Sequence, residues 1–342
     1  MNARVKKILK YALLLLLVAV LLFFAFRGVS WDDFVAGLRS CDYRWILGTI
    51  ALQWFILWLR GNRWRHMLLP VRTEGSLPIT RHETYDAYAI CYLSNLAFPR
   101  SGEMVRCGLM AETRKTSFEA ALGTVVIERT WDLVCLLLSC TPLLFFGRFR
   151  DFIVEKMLAP TAASMHIGWV WIVLIAVALL VGVIFLIRSQ REKISGTKVG
   201  AAFLKFFRGL GDGIKAVFRM KHKWSFFAYS LLIWAGYWMT SYMTLRAFPE
   251  SAGLTLLDAL FLMAVGALGW VVPVQGGFGA YHFIVSMTLV PIYGFDKQTG
   301  LIYATISHES QIVQMLLAGL IALISWAIYR KTLKKEPTPT EP

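Results

Sequence analysis

Apolar residues fall in blocks of roughly 20, separated by short polar and often basic stretches. A helix rising 1.5 Å per residue needs about 20 such residues to cross some 30 Å of hydrocarbon. A soluble core would instead alternate apolar stripes with polar faces. The pattern therefore predicts an all-α, polytopic integral membrane protein with full spans at 8–26, 45–59, 118–146, 168–187, 224–247 and 301–329. The second span is expected to stop at the basic stretch Arg60–His66, and residues 31–44 are too polar to cross.

Two further apolar segments are interrupted. Residues 83–98 run into Phe98-Pro99-Arg100-Ser101-Gly102-Glu103, and residues 257–272 run into Pro273-Val274-Gln275-Gly276-Gly277-Phe278-Gly279. Proline removes a helical hydrogen bond and clustered glycines favour non-helical backbone. Such a break at membrane depth needs protein or a watery cavity around it. Both segments, 83–113 and 257–291, are read as re-entrant hairpins, with proline kinks in ordinary helices as the alternative. The chain then forms a single membrane domain of two halves, 1–150 and 224–330, which would be an inverted repeat. They are joined by a span and connection at 151–187 and a basic loop at 188–223, and a tail follows at 331–342. Interrupted segments at matching positions of inverted halves point to a transport site.

Composition agrees: 57% hydrophobic and 17% charged residues, against roughly 45–50% and 25% in soluble domains. The net charge of +15 would suggest nucleic acid in a soluble protein. Here its placement matters more, and no nucleic-acid partner is expected. Arg27, Arg39, Arg44, Arg148, Arg150, Lys156, Arg246 and Lys297 fall on one side of the predicted topology. Arg100, Arg106 and Arg129 lie at depth, and every other Lys and Arg falls on the side of the termini. The positive-inside rule puts both termini in the cytoplasm. The basic start (Arg4, Lys6, Lys7, Lys10) and the apolar run to Phe26 lack a small-x-small cleavage site and read as an uncleaved anchor.

Candidate chemistry clusters at the breaks. Around the first stand Asn95, Arg100, Glu103 and Arg106, with Glu103 and Arg106 on one helical face. They fit either a cationic pocket for a lipid phosphate, Glu103 orienting an arginine, or a structural ion pair. Glu128 and Asp132 share a face of the 118–146 helix beside Arg129. Arg100 or Arg106 is the expected neutralising partner in a structural network, with proton relay as the alternative. The second break offers glycine amides for an anion, Gln275 and, nearby, His282. The last span adds His308, Glu309 and Gln311. Lone histidines usually pack, and no Cys/His spacing indicates a disulfide framework or a metal site. No nucleotide-binding motif is present, and no cofactor is expected. Residues 199–219 put Phe203, Phe206, Phe207, Leu210, Ile214, Val217 and Phe218 on one helical face, with Lys205, Arg208, Lys215 and Arg219 opposite. That fits either a helix on the anionic inner leaflet or an ordinary basic loop.

The strings NLAFPRSGEMVR, TVVIERTWDLV and VPVQGGFGAYH together resemble the flippase-like membrane family that includes the transmembrane region of lysylphosphatidylglycerol synthases. Its motifs map onto Asn95, Pro99, Gly102, Glu103 and Arg106, then Glu128, Arg129 and Asp132, then Pro273, Gly276, Gly277 and Gly279. The resemblance implies movement of phospholipids or lipid-linked head groups between leaflets of a bacterial cytoplasmic membrane. The chain ends at Pro342 without the synthases' soluble aminoacyl-transfer domain, so lipid aminoacylation is not expected of it. The expected function is non-enzymatic translocation of an anionic lipid. Its competitors are an enzyme acting on a polyprenyl-linked sugar and a non-transporting partner of a lipid-modifying enzyme.

Overall fold

A computed structural model describes residues 16, 18–113, 115–145, 217–272 and 274–333, and these are helical apart from short connections. A helical stretch at 18–26 precedes α1 (Trp31–Ser40), a short helix capped by the Ser30 hydroxyl. Then come α2 (Tyr43–Leu68), α3 (Arg81–Ala97), α4 (Gly102–Glu112) and α5 (Phe118–Cys140). The second group comprises α6 (Lys223–Arg246), α7 (Leu256–Val271), α8 (Ala280–Tyr293) and α9 (Lys297–Leu333). The expected span at 168–187 lies outside the described residues, as does most of 8–26. So does the amphipathic segment at 199–219 up to Val217, which is buried next to an exposed Phe218.

Both halves run long helix, helix, break, helix, long helix. In each, a capping box starts the helix before the break. Thr80 and Glu83 cap α3, and Thr255 and Asp258 cap α7. Such reciprocal hydroxyl–carboxylate bonds satisfy two otherwise orphaned amides. In each hairpin the arms touch backbone to backbone where a glycine sits: a Cβ on Gly102 would lie 2.0 Å from the Cys91 carbonyl oxygen, and one on Gly269 2.8 Å from the Tyr281 Cα. Counterparts also pack together, α2 lying along α6.

Among the described residues two large apolar cores result, with a smaller cluster of Ile56, Leu59 and Ile233 between α2 and α6. One gathers Phe34, Leu245, Phe248, the α7 stretch 259–265 and Val285 around the second hairpin; the other gathers Leu57, Trp64, Met67, Tyr88, Met110 and Phe226 around the first. The long α9 joins both, contributing Leu301 to Ala304 to one and Ala318, Ala322 and Trp326 to the other. Its outward face presents Leu316, Leu317, Leu320, Ile321, Ile324 and Ile328, a continuous apolar strip suited to lipid. Lys297–Lys331 is the one described segment long and apolar enough, by length and composition, to cross a membrane.

One expectation is corrected here. The second apolar helix does not stop at residue 59 but continues through the basic stretch to Leu68, burying Arg60 and Arg63. Charge looked like a stop signal, yet these two guanidinium groups find carboxylates inside the protein and need no water.

Candidate functional site

The centre of the first half is Glu128 on α5, fully buried. Its Oε1 accepts from Arg60 at 3.2 Å, from Arg63 at 3.2 Å and from the Tyr88 hydroxyl. Its Oε2 accepts from Arg106 at 2.9 Å. Asp132, one turn on, faces Arg60 at 3.0 Å and Arg63 at 2.8 Å. Arg60 and Arg63 are one turn apart on α2, so the two arginines meet the two acids along facing helix sides. Tyr237 and Ser230 of α6 take remaining guanidinium donors at 2.5 and 3.2 Å. Arg106 is held between aromatic faces, 4.5 Å from the Trp64 ring centroid and 4.4 Å from that of Tyr88. Trp64 in turn donates to Thr124 at 2.8 Å. Isolated charges would be expensive here; mutual pairing and hydrogen bonding hold them.

Of the two expected partners it is Arg106 that neutralises Glu128, and the arginine that Glu103 pairs with is Arg129, whose side chain is 45% exposed. Arg100 does not approach Glu128 or Asp132. It reaches across to the other hairpin and donates to the Val271 carbonyl at 2.6 Å. Arg100 carries φ of +56°, the single positive φ at a non-glycine residue among those described. For an L-residue that conformation costs roughly 1–2 kcal/mol. It lets the break turn while the arginine points at the second tip.

The remaining residues of the first break are architectural. Asn95 Oδ1 accepts the Gly102 amide at 2.8 Å, closing the turn that Pro99 opens. Ser101 donates to the Ser94 and Phe98 carbonyls. The second break is a short 3-10 turn, Gln275–Gly277, in which Gly276 and Gly277 take φ of +53° and +75°, and Gly279 at the start of α8 takes +75°, which glycine alone adopts without penalty. Pro273 lies outside the described residues. Gly276 sits against Leu96 of the first hairpin, so the tips touch, and Gly279 sits against the 18–22 backbone and side chains. His308 accepts no lone-residue reading: its Nε2 lies 2.8 Å from the Gly276 carbonyl and its ring stacks on Trp270. His282 lies beside it, with ring centroids 4.8 Å apart.

The sequence reading missed Arg60, Arg63, Tyr88, Tyr237 and Trp64. A signal existed for the first two: arginines at i and i+3 opposite acids at i and i+4 are complementary helix faces.

A family model, lysylphosphatidylglycerol synthase TM region, matches residues 9–329. The chain belongs to that family. Nearly the whole chain is covered, including both breaks and the α5 acids, and membership points to a membrane protein with a lipid-related function. No curated protein and no solved structure matches the chain.

Proposed function

We propose that this synthase-type membrane region is a lipid translocator, flippase- or scramblase-like, for an anionic phospholipid or lipid-linked head group. It acts without enzymatic chemistry of its own. The carrying observation is the junction of the two broken hairpins, where Arg100 of one tip binds the Val271 carbonyl of the other. Beside it stands the partly exposed Arg129–Glu103 pair. Behind the junction, Arg60, Arg63, Arg106 and Arg129 face Glu103, Glu128 and Asp132, one positive charge in excess, and Arg100 adds another. A phosphate fits that balance, with acyl tails left in the bilayer along outward apolar faces such as that of α9.

In this reading the two halves are inverted repeats with re-entrant hairpins. Both termini are cytoplasmic in a bacterial plasma membrane, and 199–219 lies on the anionic inner leaflet. Removing Arg60 and Arg63 from the cytoplasmic charges leaves the bias strongly toward the termini. The commitment of Glu103, Glu128 and Asp132 to arginines supports transport over hydrolytic or transferase chemistry, since a general acid or base must be free to move a proton.

Reconstitution into liposomes with leaflet-specific phosphatidylglycerol reporters tests this. The wild type should equilibrate the anionic lipid, and Arg100→Ala and Arg129→Ala should slow it at least about tenfold. A wild type that moves no lipid overturns the reading. Co-purification with a lipid-modifying enzyme in that event would favour the non-transporting partner.

A further inference from the structure

On the other side of the second break, three metal-type ligands converge that no translocation role absorbs. His282 on α8 and His308 and Glu309 on α9 place their ligand atoms within 4.8 Å of one another. The Glu309 Oε1 lies 3.0 Å from His308 Nδ1 and 3.6 Å from His282 Nε2. Both imidazoles are buried, and Glu309 is 39% exposed.

The tautomer of His308 sharpens the picture. Its Nε2 is 2.8 Å from the Gly276 carbonyl oxygen, which can only accept, so Nε2 carries a hydrogen. In the neutral ring Nδ1 then presents a lone pair, and that lone pair faces a carboxylate oxygen at 3.0 Å. A contact this close needs a positive centre, either a second proton that makes an imidazolium–carboxylate pair or a bound cation. A ring nitrogen donating to a backbone carbonyl while the other is left free is also the usual arrangement around a metal-bound histidine.

We propose that His282, His308 and Glu309 bind a divalent transition-metal ion of the zinc class. Two imidazole nitrogens and one carboxylate oxygen make a common three-ligand set, with a fourth position open to water or a polar head group. Bonds of about 2.0–2.1 Å at tetrahedral angles set ligand atoms about 3.3 Å apart. The two carboxylate–imidazole separations of 3.0 and 3.6 Å bracket that value, and the two imidazoles, whose ligand atoms lie within 4.8 Å of each other, would draw together around the ion. Rings of Trp270, Phe278 and Tyr281 pack around His308 at centroid distances of 5.4, 4.9 and 5.2 Å and fix its orientation. The ion would tie α8 to α9 and, through His308, to the carbonyl of the glycine turn.

The test uses the full-length, tag-free protein in detergent, titrated with Zn²⁺ against a chromophoric chelator and separately with Co²⁺. The wild type should bind one equivalent of Zn²⁺. Its Co²⁺ form should show intense tetrahedral visible bands without a thiolate charge-transfer band, which excludes the cysteines. His282→Ala and Glu309→Gln should weaken Zn²⁺ binding by more than about tenfold. His82→Ala, a change at an exposed histidine elsewhere, should leave it unchanged. Zinc binding that is absent, or equal in the wild type and both site variants, overturns the proposal. Should the variants fail to fold, the wild-type cobalt spectrum decides: weak octahedral bands overturn it.

Discussion

The two broken hairpins share a plan and differ in what fills the break. Each begins with a capping box, packs its arms through a glycine and leads into a long helix. The first tip turns on Pro99 and a strained Arg100, and behind it lies a network of buried arginines and acids. The second turns on glycines and is held by aromatic rings and His308, with no arginine among its described residues. Common backbone plans therefore leave room for different chemistry: charge is concentrated at one tip and imidazole at the other, and the tips meet through Arg100.

That contrast can be broken experimentally. The largest effect is expected for Glu128→Gln. It leaves Arg106 and part of Arg60 and Arg63 without a counter-charge in the interior, a loss of about 3–5 kcal/mol. The measurement is thermal unfolding in detergent, and an unchanged melting point would mean that the charge network does not hold the first half. Gly102→Ala comes next. Its Cβ would meet backbone rather than a flexible side chain, so the arms must separate, costing roughly 1–3 kcal/mol. Equal stability of that variant and the wild type would show that the close approach is not required. The smallest effect belongs to Arg100→Ala. It removes an exposed link between the tips, about 1 kcal/mol or less, and leaves the positive φ as it is, since alanine also carries a Cβ. Stability should stay nearly unchanged while lipid movement falls. A loss of stability matching that of Glu128→Gln would make Arg100 a structural rivet instead.

Helical class, the two interruptions and the family motifs were legible in the chain, because run lengths, prolines and glycines act locally. Glu128 and Asp132 were legible as a shared face, and Arg106 as a candidate partner, from helical spacing alone. The continuation of α2 through Arg60 and Arg63 was not. Whether an arginine ends a helix at water or turns inward depends on an acid 65 or more positions away. The pairing of Glu103 with Arg129 likewise depends on how α4 packs on α5, and that of Arg100 with Val271 on how the two hairpins meet. Local sequence determined where the backbone breaks and which residue types stand there. Tertiary packing decided which charges are sealed and which are exposed, since pairing energy is set by distance and burial. It also brought His282 within reach of His308 and Glu309, a convergence that no spacing along the chain announces.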